Sequence, residues 1–318
     1  MWAYIARRLL WAIPVVLGTV TLIFIIMQIM PGDIALVILG SEEGMTASPE
    51  QIAQLRTELG LDRPLYVRYL EWLWGVVRLD LGRSLWTGEP VTHALAKRFP
   101  VSFQLAFMAV LLSMILAVPS GIVMAIKQDS VIDYLLRGVF IAGLSIPSFW
   151  FAILIVLFLV VIFGWYPPLG YATFLTDPKT SFLQLIFPAI ALGYRHTAVA
   201  ARMTRSTMLE VIREDYVRTA RAKGLPESAV ITAHALKNAI LPVITVFGMD
   251  LALLIGGIVI IERVFNLPGV GDFLVEGILT RDLPVVQGTI ALIILGVVVV
   301  NLIVDITYSW FDPRIRYR

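Results

Sequence analysis

The chain has 318 residues, of which 58% are hydrophobic and 15% are charged, and its mean hydropathy is +0.85. Ordinary soluble domains carry about 25% charged residues, so this composition indicates an integral membrane protein. The formal net charge of +2 gives no sign of a nucleic-acid partner, and the absence of cysteine excludes disulfides and thiolate metal sites.

Six long apolar stretches are candidate membrane spans, since a span needs about 20 mostly apolar residues to cross roughly 30 Å of hydrocarbon. The first stretch is too long for the core of a signal peptide and has no small-residue cleavage site, so a retained helix is expected. The sequence therefore predicts an all-α membrane protein with spans at residues 9–30, 101–126, 135–163, 183–203, 238–261 and 285–309.

The distribution of basic residues predicts how these spans are oriented. With Arg7 and Arg8 inside the cell, the cytoplasmic segments hold fourteen Lys and Arg residues and the two short outside loops hold three. Positive charges in short loops favour the cytoplasmic side, so both termini are expected to be cytoplasmic.

The long first loop, residues 31–100, is predicted to be a small helical insertion on the outer side. Ser48-Pro49-Glu50-Gln51 has the pattern of a capping box, and Gly60 is placed to end the helix that follows. A second helix from Pro64 is rich in aromatic residues, which suits a membrane interface. This helix fits either a packing lid or a docking surface for an outside partner.

Three ionisable residues fall within predicted spans, where each charged group costs on the order of 2.5–3.5 kcal/mol. Arg195 and His196 lie in the fourth span and Asp250 lies in the fifth. Arg195 and Asp250 either neutralise each other or line a substrate path. Pro147 predicts a kink in the third span, either a plain bend or a gating hinge, and Pro242 is a second hinge candidate.

Motifs for enzymatic chemistry are missing from the sequence. No phosphate-binding Gly-x-x-x-x-Gly-Lys-Ser/Thr loop, His-Glu-x-x-His motif or Gly-x-Ser-x-Gly elbow occurs. The three histidines, His93, His196 and His234, are scattered, which disfavours a shared metal site. We expect neither an enzyme nor a cofactor or metal bound by this chain.

The long polar interval between residues 202 and 242 contains seven of the 25 Lys and Arg residues. Apolar and long side chains at three- and four-residue steps predict a basic helix with one apolar face between Met203 and Lys223, and a Glu214–Arg218 pair would support it. Gly224 and Pro226 are expected to end this helix, after which a second helix runs into the fifth span. Such a helix fits a groove on a soluble partner or an anionic lipid surface.

At these residues the chain resembles the loop by which inner-membrane subunits of ATP-binding-cassette importers dock their ATPases. The general importer pattern is Glu-Ala-Ala, three residues, Gly, nine residues and Ile-x-Leu-Pro. This chain has Arg218-Thr219-Ala220, keeps Gly224, and delays the proline to Pro242. That departure is similar to the dipeptide, oligopeptide and nickel permease branch.

The resemblance extends over nearly the whole chain. Other matching segments resemble the first of the two permease subunits of that branch: Pro31-Gly32-Asp33 and residues 59–65, 262–271 and 312–316. The resemblance implies a type I importer permease fold in a bacterial inner membrane, with residues 203–237 as a cytoplasmic coupling loop. The implied ATPase-docking residues are Glu214, Tyr216, Arg218, Thr219, Ala220, Arg221, Ala222, Lys223, Gly224 and Leu225.

The resemblance also implies partners and a class of cargo. The partners are membrane lipid, a second homologous permease subunit, two ATP-binding subunits, and a periplasmic or lipid-anchored substrate-binding protein. Di- or oligopeptides are the expected cargo, with Arg195 meeting a peptide carboxylate and Asp250 an amine. A nickel-chelate or glutathione permease is the alternative. An ion-coupled secondary transporter would need paired broken helices, whereas Pro147 marks a single clear break.

Overall fold

The computed structural model describes residues 2–29, 35, 38–39, 48–168 and 170–311, and most of them are helical. The helices are α1 Trp2–Ile29, α2 Pro49–Glu58, α3 Leu65–Val77, α4 Val91–Ile126, α5 Val131–Ser145, α6 Ser148–Phe163, α7 Pro178–Val211, α8 Asp215–Ala222, α9 Glu227–Ala229, a π-helix at Val230–Ala235, α10 Leu236–Val264, α11 Val270–Leu279 and α12 Leu283–Phe311.

Three helices of the described chain are long and apolar enough to cross a membrane, in the ranges Leu10–Ile29, Val91–Ile126 and Leu283–Val304. The pair α5 and α6 makes a fourth if the two count as one span. The predicted spans 183–203 and 238–261 lie within α7 and α10, which are not among the three helices found in the described residues. The chain is therefore a multi-pass helical membrane protein, and the count of six spans stays a prediction.

The predicted third span, 135–163, is not one kinked helix. Its two halves, α5 and α6, are bent by 107° at Ile146 and Pro147. Ile146 adopts an extended conformation and Pro147 caps the start of α6. The break is this sharp because a proline lacks the backbone donor that the helix needs and disfavours helical geometry in the residue before it.

Helix starts follow the local sequence signals. The predicted capping box is confirmed, since Ser48 accepts from the Gln51 backbone and the Gln51 side chain accepts from the Ser48 backbone. Gly60 has a φ of +66° after α2, as predicted. The second predicted span begins earlier than expected, because α4 starts at Val91 and not at residue 101.

The chain divides into two compact units. One contains residues 101–268 with 299–318, and the other contains residues 2–100 with 269–298.

In the first unit α7 packs closely on its neighbours through small residues. A Cβ on Gly193 would lie 2.8 Å from the backbone oxygen of Ala109 on α4, and one on Gly121 would lie 2.5 Å from the Thr204 side chain. The Ser113 hydroxyl also donates to the Gly193 carbonyl at 2.8 Å. Small residues let the helix backbones approach, and the hydrogen bond joins them where water is excluded.

In the second unit α3 packs on the end of α1. Phe24 lies 5.3 Å from the ring of Tyr69 and 5.8 Å from that of Trp72, and the hydroxyls of Thr21 and Tyr69 are 2.7 Å apart. Met27 is buried with residues of α11 and α12. The aromatic residues of α3 thus anchor this helix to α1 as well as giving it an exposed apolar face.

Candidate functional site: the basic segment after α7

The basic segment forms a short helix between two longer elements. α7 ends at Val211, a turn follows, and α8 runs from Asp215 to Ala222. The prediction of one helix from Met203 to Lys223 is therefore wrong. Glu214 is extended, and the preceding backbone hydrogen bonds span three residues, so the chain changes direction before α8 begins.

The predicted end of this helix is confirmed at Gly224. Its φ is +78°, the left-handed conformation that glycine adopts without steric cost, and its N–H donates to the Arg221 carbonyl at 2.9 Å. Pro226 then caps α9, so the chain enters the next helix immediately.

An ion pair bridges the turn around Gly224. The Arg221 guanidinium donates to both carboxylate oxygens of Glu227, at 2.7 and 3.1 Å. These hydrogen bonds hold the pKa of Glu227 below its usual value and raise the pKa of Arg221. These two parallel hydrogen bonds link the end of α8 to the start of α9.

One face of α8 is buried against the helices beside it. Val217 and Ala220 are almost fully buried and pack with Val230 and Val211. Ala220 was among the predicted docking residues, but its side chain points inward and supports the helix instead of offering a contact surface.

The opposite face of α8 is exposed and carries three basic residues. The other nine predicted docking residues are exposed: Glu214, Tyr216, Arg218, Thr219, Arg221, Ala222, Lys223, Gly224 and Leu225. The predicted side-chain pair between Glu214 and Arg218 is not formed, because Glu214 lies at the helix cap and Arg218 pairs with Asp215 at 3.4 Å. Both partners of that pair are exposed, so it adds little stability.

A side-chain contact that the sequence did not predict joins α8 to α10. The Asn238 amide donates to the Tyr216 hydroxyl at 2.8 Å, across 22 positions of the chain. The π-helix Val230–Ala235 lies between these two residues in the sequence and packs against α8. This hydrogen bond links α8 to the start of α10.

The predicted path and hinge residues are found at separate positions. On α7, Arg195 is exposed and His196 is half-buried. Asp250 lies in α10, but its side chain is outside the described residues, so the predicted pairing with Arg195 stays a prediction. Pro147 stands at the start of α6 and Pro242 lies inside α10.

Comparison with known protein families shows which family the chain belongs to. Residues 117–317 match the family described as binding-protein-dependent transport system inner membrane component, and residues 1–106 match the model for the N-terminal part of such membrane components. The chain belongs to this family. The family is one of transport permeases found in the inner membrane.

Curated relatives match this permease along its whole length. A peptide transport system permease protein of Brucella abortus strain 2308, which carries that name provisionally, is 45% identical over 317 residues and is covered completely, as is our chain. The di/tripeptide transport system permease protein of Pseudomonas aeruginosa strain UCBPP-PA14 is 40% identical, and the dipeptide transport system permease protein of Escherichia coli K12 is 38% identical. Both alignments cover 100% of each chain.

The permease also contains a buried charge cluster that the sequence analysis missed. Asp133 is fully buried, and Arg205 donates to both of its carboxylate oxygens at 2.9 Å. Arg137 and the Asp129 backbone N–H each donate to Asp133 at 3.0 Å. Ser130, three residues before Asp133, caps α5. This Ser-x-x-Asp spacing is the signal that could have drawn attention to the cluster.

Two further buried acids of the permease accept hydrogen bonds from serines. Glu262 is fully buried and accepts from Ser102, within the first compact unit. Asp282 is almost fully buried in the second unit and accepts from the Ser84 hydroxyl at 2.6 Å and the Leu85 N–H at 3.1 Å. The partners are more than 150 positions apart, so no local pattern could have predicted these contacts.

Proposed function

We propose that this chain is one of two homologous six-span permease subunits of an ATP-binding-cassette importer, and that it forms half of the path for di- or oligopeptides. A substrate-binding protein would deliver the peptide from outside. Two ATP-binding subunits would supply the energy, since nucleotide chemistry belongs to them in this proposal. The names of the relatives support the cargo class.

The observation that carries this proposal is that residues 203–237 contain a short helix, α8, which is held in place by its neighbours. α8 is packed on one side by Val217 and Ala220, closed at its end by Gly224, and tied to α9 by the Arg221–Glu227 pair. Its exposed face carries Arg218, Arg221 and Lys223. A helix held this firmly can transmit a force, whereas attraction to lipid would need no such bracing.

The contacts of α8 suggest how the force would reach the membrane. Movement of α8 would act on α10 through Tyr216 and Asn238, and on the end of α7 through Val211. α7 would carry the motion further because its backbone packs tightly on α4 at Gly193. The spans would then tilt as rigid bodies, with Pro147 and Pro242 as candidate hinges.

In this proposal Arg195, His196 and Asp250 face the translocation path. The exposed position of Arg195 on α7 supports this role, since a charged residue within a span normally faces a polar interior. A guanidinium can bind a peptide carboxylate with two parallel hydrogen bonds, and a carboxylate can bind a peptide amine.

The first test is purification of the permease with the products of neighbouring genes. The double variant Arg218→Glu/Lys223→Glu reverses the charge of the exposed face and leaves the buried side of α8 intact. We expect recovery of the ATP-binding subunits to fall by at least about tenfold. Lys127→Glu, at an exposed lysine outside α8, is the matched control.

The control should retain the ATP-binding subunits at the level of the unsubstituted chain. Equal recovery with the double variant would contradict docking at α8. A lysine control that fails as badly would show that any charge reversal disrupts assembly, which would also count against this site.

A further inference from the structure

The second compact unit contains a cavity of about 330 Å³ where α1 ends and α12 begins. Its wall includes Gln28, Arg68, Trp72 and Gln287, together with apolar atoms of Phe24 and Leu283. This volume is in the range of small-ligand sites. None of these residues belongs to the basic segment, to the path residues or to the hinges.

Two residues that line this cavity have side-chain donors left without acceptors among the described residues. Gln28 Nε2 and Trp72 Nε1 are both buried, and neither has a hydrogen-bond partner in the described part of the chain. A buried donor without a partner costs about 1–3 kcal/mol, so native structures seldom keep one without a reason.

A half-buried cation stands beside these donors. Arg68 Nη1 donates to Gln28 Oε1 at 3.2 Å, a contact that occupies the amide oxygen and leaves Nε2 as the free end. Burial lowers the pKa of Arg68. No carboxylate within the described ranges pairs with this guanidinium. Its hydrogen-bond acceptor there is the neutral amide of Gln28.

The acidic residues that line the cavity do not accept hydrogen bonds from these donors. Glu71 is engaged with Arg63 at 2.9 Å, and both side chains are more than half exposed. Glu58 also lines the cavity and is exposed. The lining residues thus include two with unsatisfied donors and one half-buried cation, whereas the carboxylates among them are exposed.

A second cavity, of about 210 Å³ in the same unit, provides a contrast. The two cations among its lining residues are paired with carboxylates: Lys97 with Glu89 at 3.0 Å, and Arg98 with Glu276 at 3.3 Å and with Asp272, outside the lining, at 3.5 Å. The Trp86 Nε1 donates to the Thr280 carbonyl at 2.9 Å. These donors of the second cavity have acceptors within the protein, so they do not need a ligand.

Residues that line the larger cavity lie at the ends of two candidate membrane spans. Gln28 stands near the end of the spanning segment Leu10–Ile29, and Leu283 begins the spanning segment Leu283–Val304. α3, which supplies Arg68 and Trp72, also carries large exposed apolar side chains: Leu65, Tyr66, Leu70, Trp74 and Val77. An amphipathic helix of this kind rests with its apolar face among lipid chains.

We propose that this cavity binds the phosphate of a membrane phospholipid headgroup. Phosphate oxygens would accept hydrogen bonds from Arg68, Gln28 Nε2 and Trp72 Nε1, and they would compensate the guanidinium charge. The acyl chains of the same lipid would lie along the exposed apolar residues of α3. The site needs only a membrane and does not depend on the proposed transport function.

The test is native mass spectrometry of the full chain, purified in mild detergent and supplied with phosphatidylglycerol. Trp72→Phe keeps an aromatic ring but removes the orphaned donor together with part of the indole, and Arg68→Gln removes the charge. We expect each to reduce the retained lipid by roughly 3- to 10-fold, since each deletes a hydrogen bond to the ligand. Arg78→Gln, at the end of α3 and outside the cavity, is the control.

A second measurement separates lipid binding from a packing role. In lipid-free detergent the melting temperature of Trp72→Phe gives the baseline, because the variant loses an unsatisfied buried donor but also part of its packing on Phe24. Added phosphatidylglycerol should then raise the melting temperature of the unsubstituted chain more than that of the variant.

Several outcomes would overturn the proposal. Equal lipid retention by all four chains would exclude the cavity as the binding place. Displacement of the lipid by inorganic phosphate alone would identify a free anion as the ligand. Occupation by a dipeptide in the absence of lipid would assign the donors to cargo.

Discussion

At the residue scale, the most heavily bonded side chain described in the first unit is Asp133. It is fully buried, whereas its partners Arg205 and Arg137 are 18% and 34% exposed. Water therefore reaches the cations but not the carboxylate. The cluster joins the start of α5 to the last turns of α7, just before the chain enters the basic segment, so it fixes the base from which α8 projects.

Replacing Asp133 tests how much this cluster contributes. Asp133→Asn should lower the free energy of unfolding by about 2–3 kcal/mol, because it leaves the two guanidinium groups without a buried counter-charge; partial solvation of the arginines keeps the loss below that of a fully buried pair. Thermal unfolding in detergent measures the change. Asp129→Asn is the control, since Asp129 is exposed and lies 3.8 Å from Arg137.

Asp129→Asn should leave the unfolding temperature almost unchanged. A loss of similar size in both variants would mean that surface charge, and not the buried contact, determines stability here. The charge-restoring variant Asp133→Glu should recover part of the loss, because it returns the negative charge with one additional methylene group to accommodate.

At the element scale, α8 depends on a backbone conformation as well as on packing. Gly224 has a φ of +78°, and a Cβ placed there would meet no atom within 4 Å. Any penalty for a side chain at this position therefore arises from the left-handed backbone alone. The same helix is held from within by Ala220, so its exposed face is displayed by a rigid support.

Gly224→Ala should weaken the end of α8 by about 1 kcal/mol, and Gly224→Asn by less, because asparagine tolerates the left-handed conformation better. We expect the same order in the binding of the ATP-binding subunits, measured by titration of purified complexes. Gly138→Ala is the matched control. Gly138 lies within α5 with open space around it, so alanine there should be neutral or slightly stabilising.

A larger effect of asparagine than of alanine would contradict the conformational explanation. It would point instead to a direct contact of the partner with the glycine surface, where any added side chain interferes in proportion to its size.

At the scale of the whole molecule, the sharp bend at Pro147 and the charged residues of α7 bear on how often the chain crosses the membrane. Among the described residues, three helices qualify as spans by themselves, and there are four if α5 and α6 count as one span. The charges within α7 belong to a helix that buries one face against its neighbours, and a helix packed in a bundle can cross without being apolar throughout.

Single thiols test the six-span prediction, because the chain contains no cysteine. Lys223→Cys and Lys127→Cys should react with an impermeant maleimide only in inside-out vesicles, whereas Lys179→Cys should react in intact cells. All three lysines are exposed, so reactivity reports the side of the membrane and not burial. Labelling of Lys223→Cys in intact cells would contradict both the orientation and the docking role of α8.

Local signals predicted those parts of the structure that depend on neighbouring residues. The capping box at Ser48, the end of α8 at Gly224 and the break at Pro147 were all foreseen, since each follows from the conformational limits of one or two residues. The apolar stretches predicted a helical membrane protein for a similar reason: their length and composition alone meet the requirement of the bilayer.

Contacts between distant segments were decided only by the tertiary structure. The burial of Asp133 by Arg205 and the inward position of Ala220 depend on residues that the chain brings together from far apart. The same holds for the donors of Gln28 and Trp72, which meet no acceptor among the described residues. A sequence specifies which groups can donate, accept or bury themselves. Which partner each group meets, and which donor is left without one, depends on how the helices pack, because hydrogen bonds and apolar contacts act over only a few ångströms.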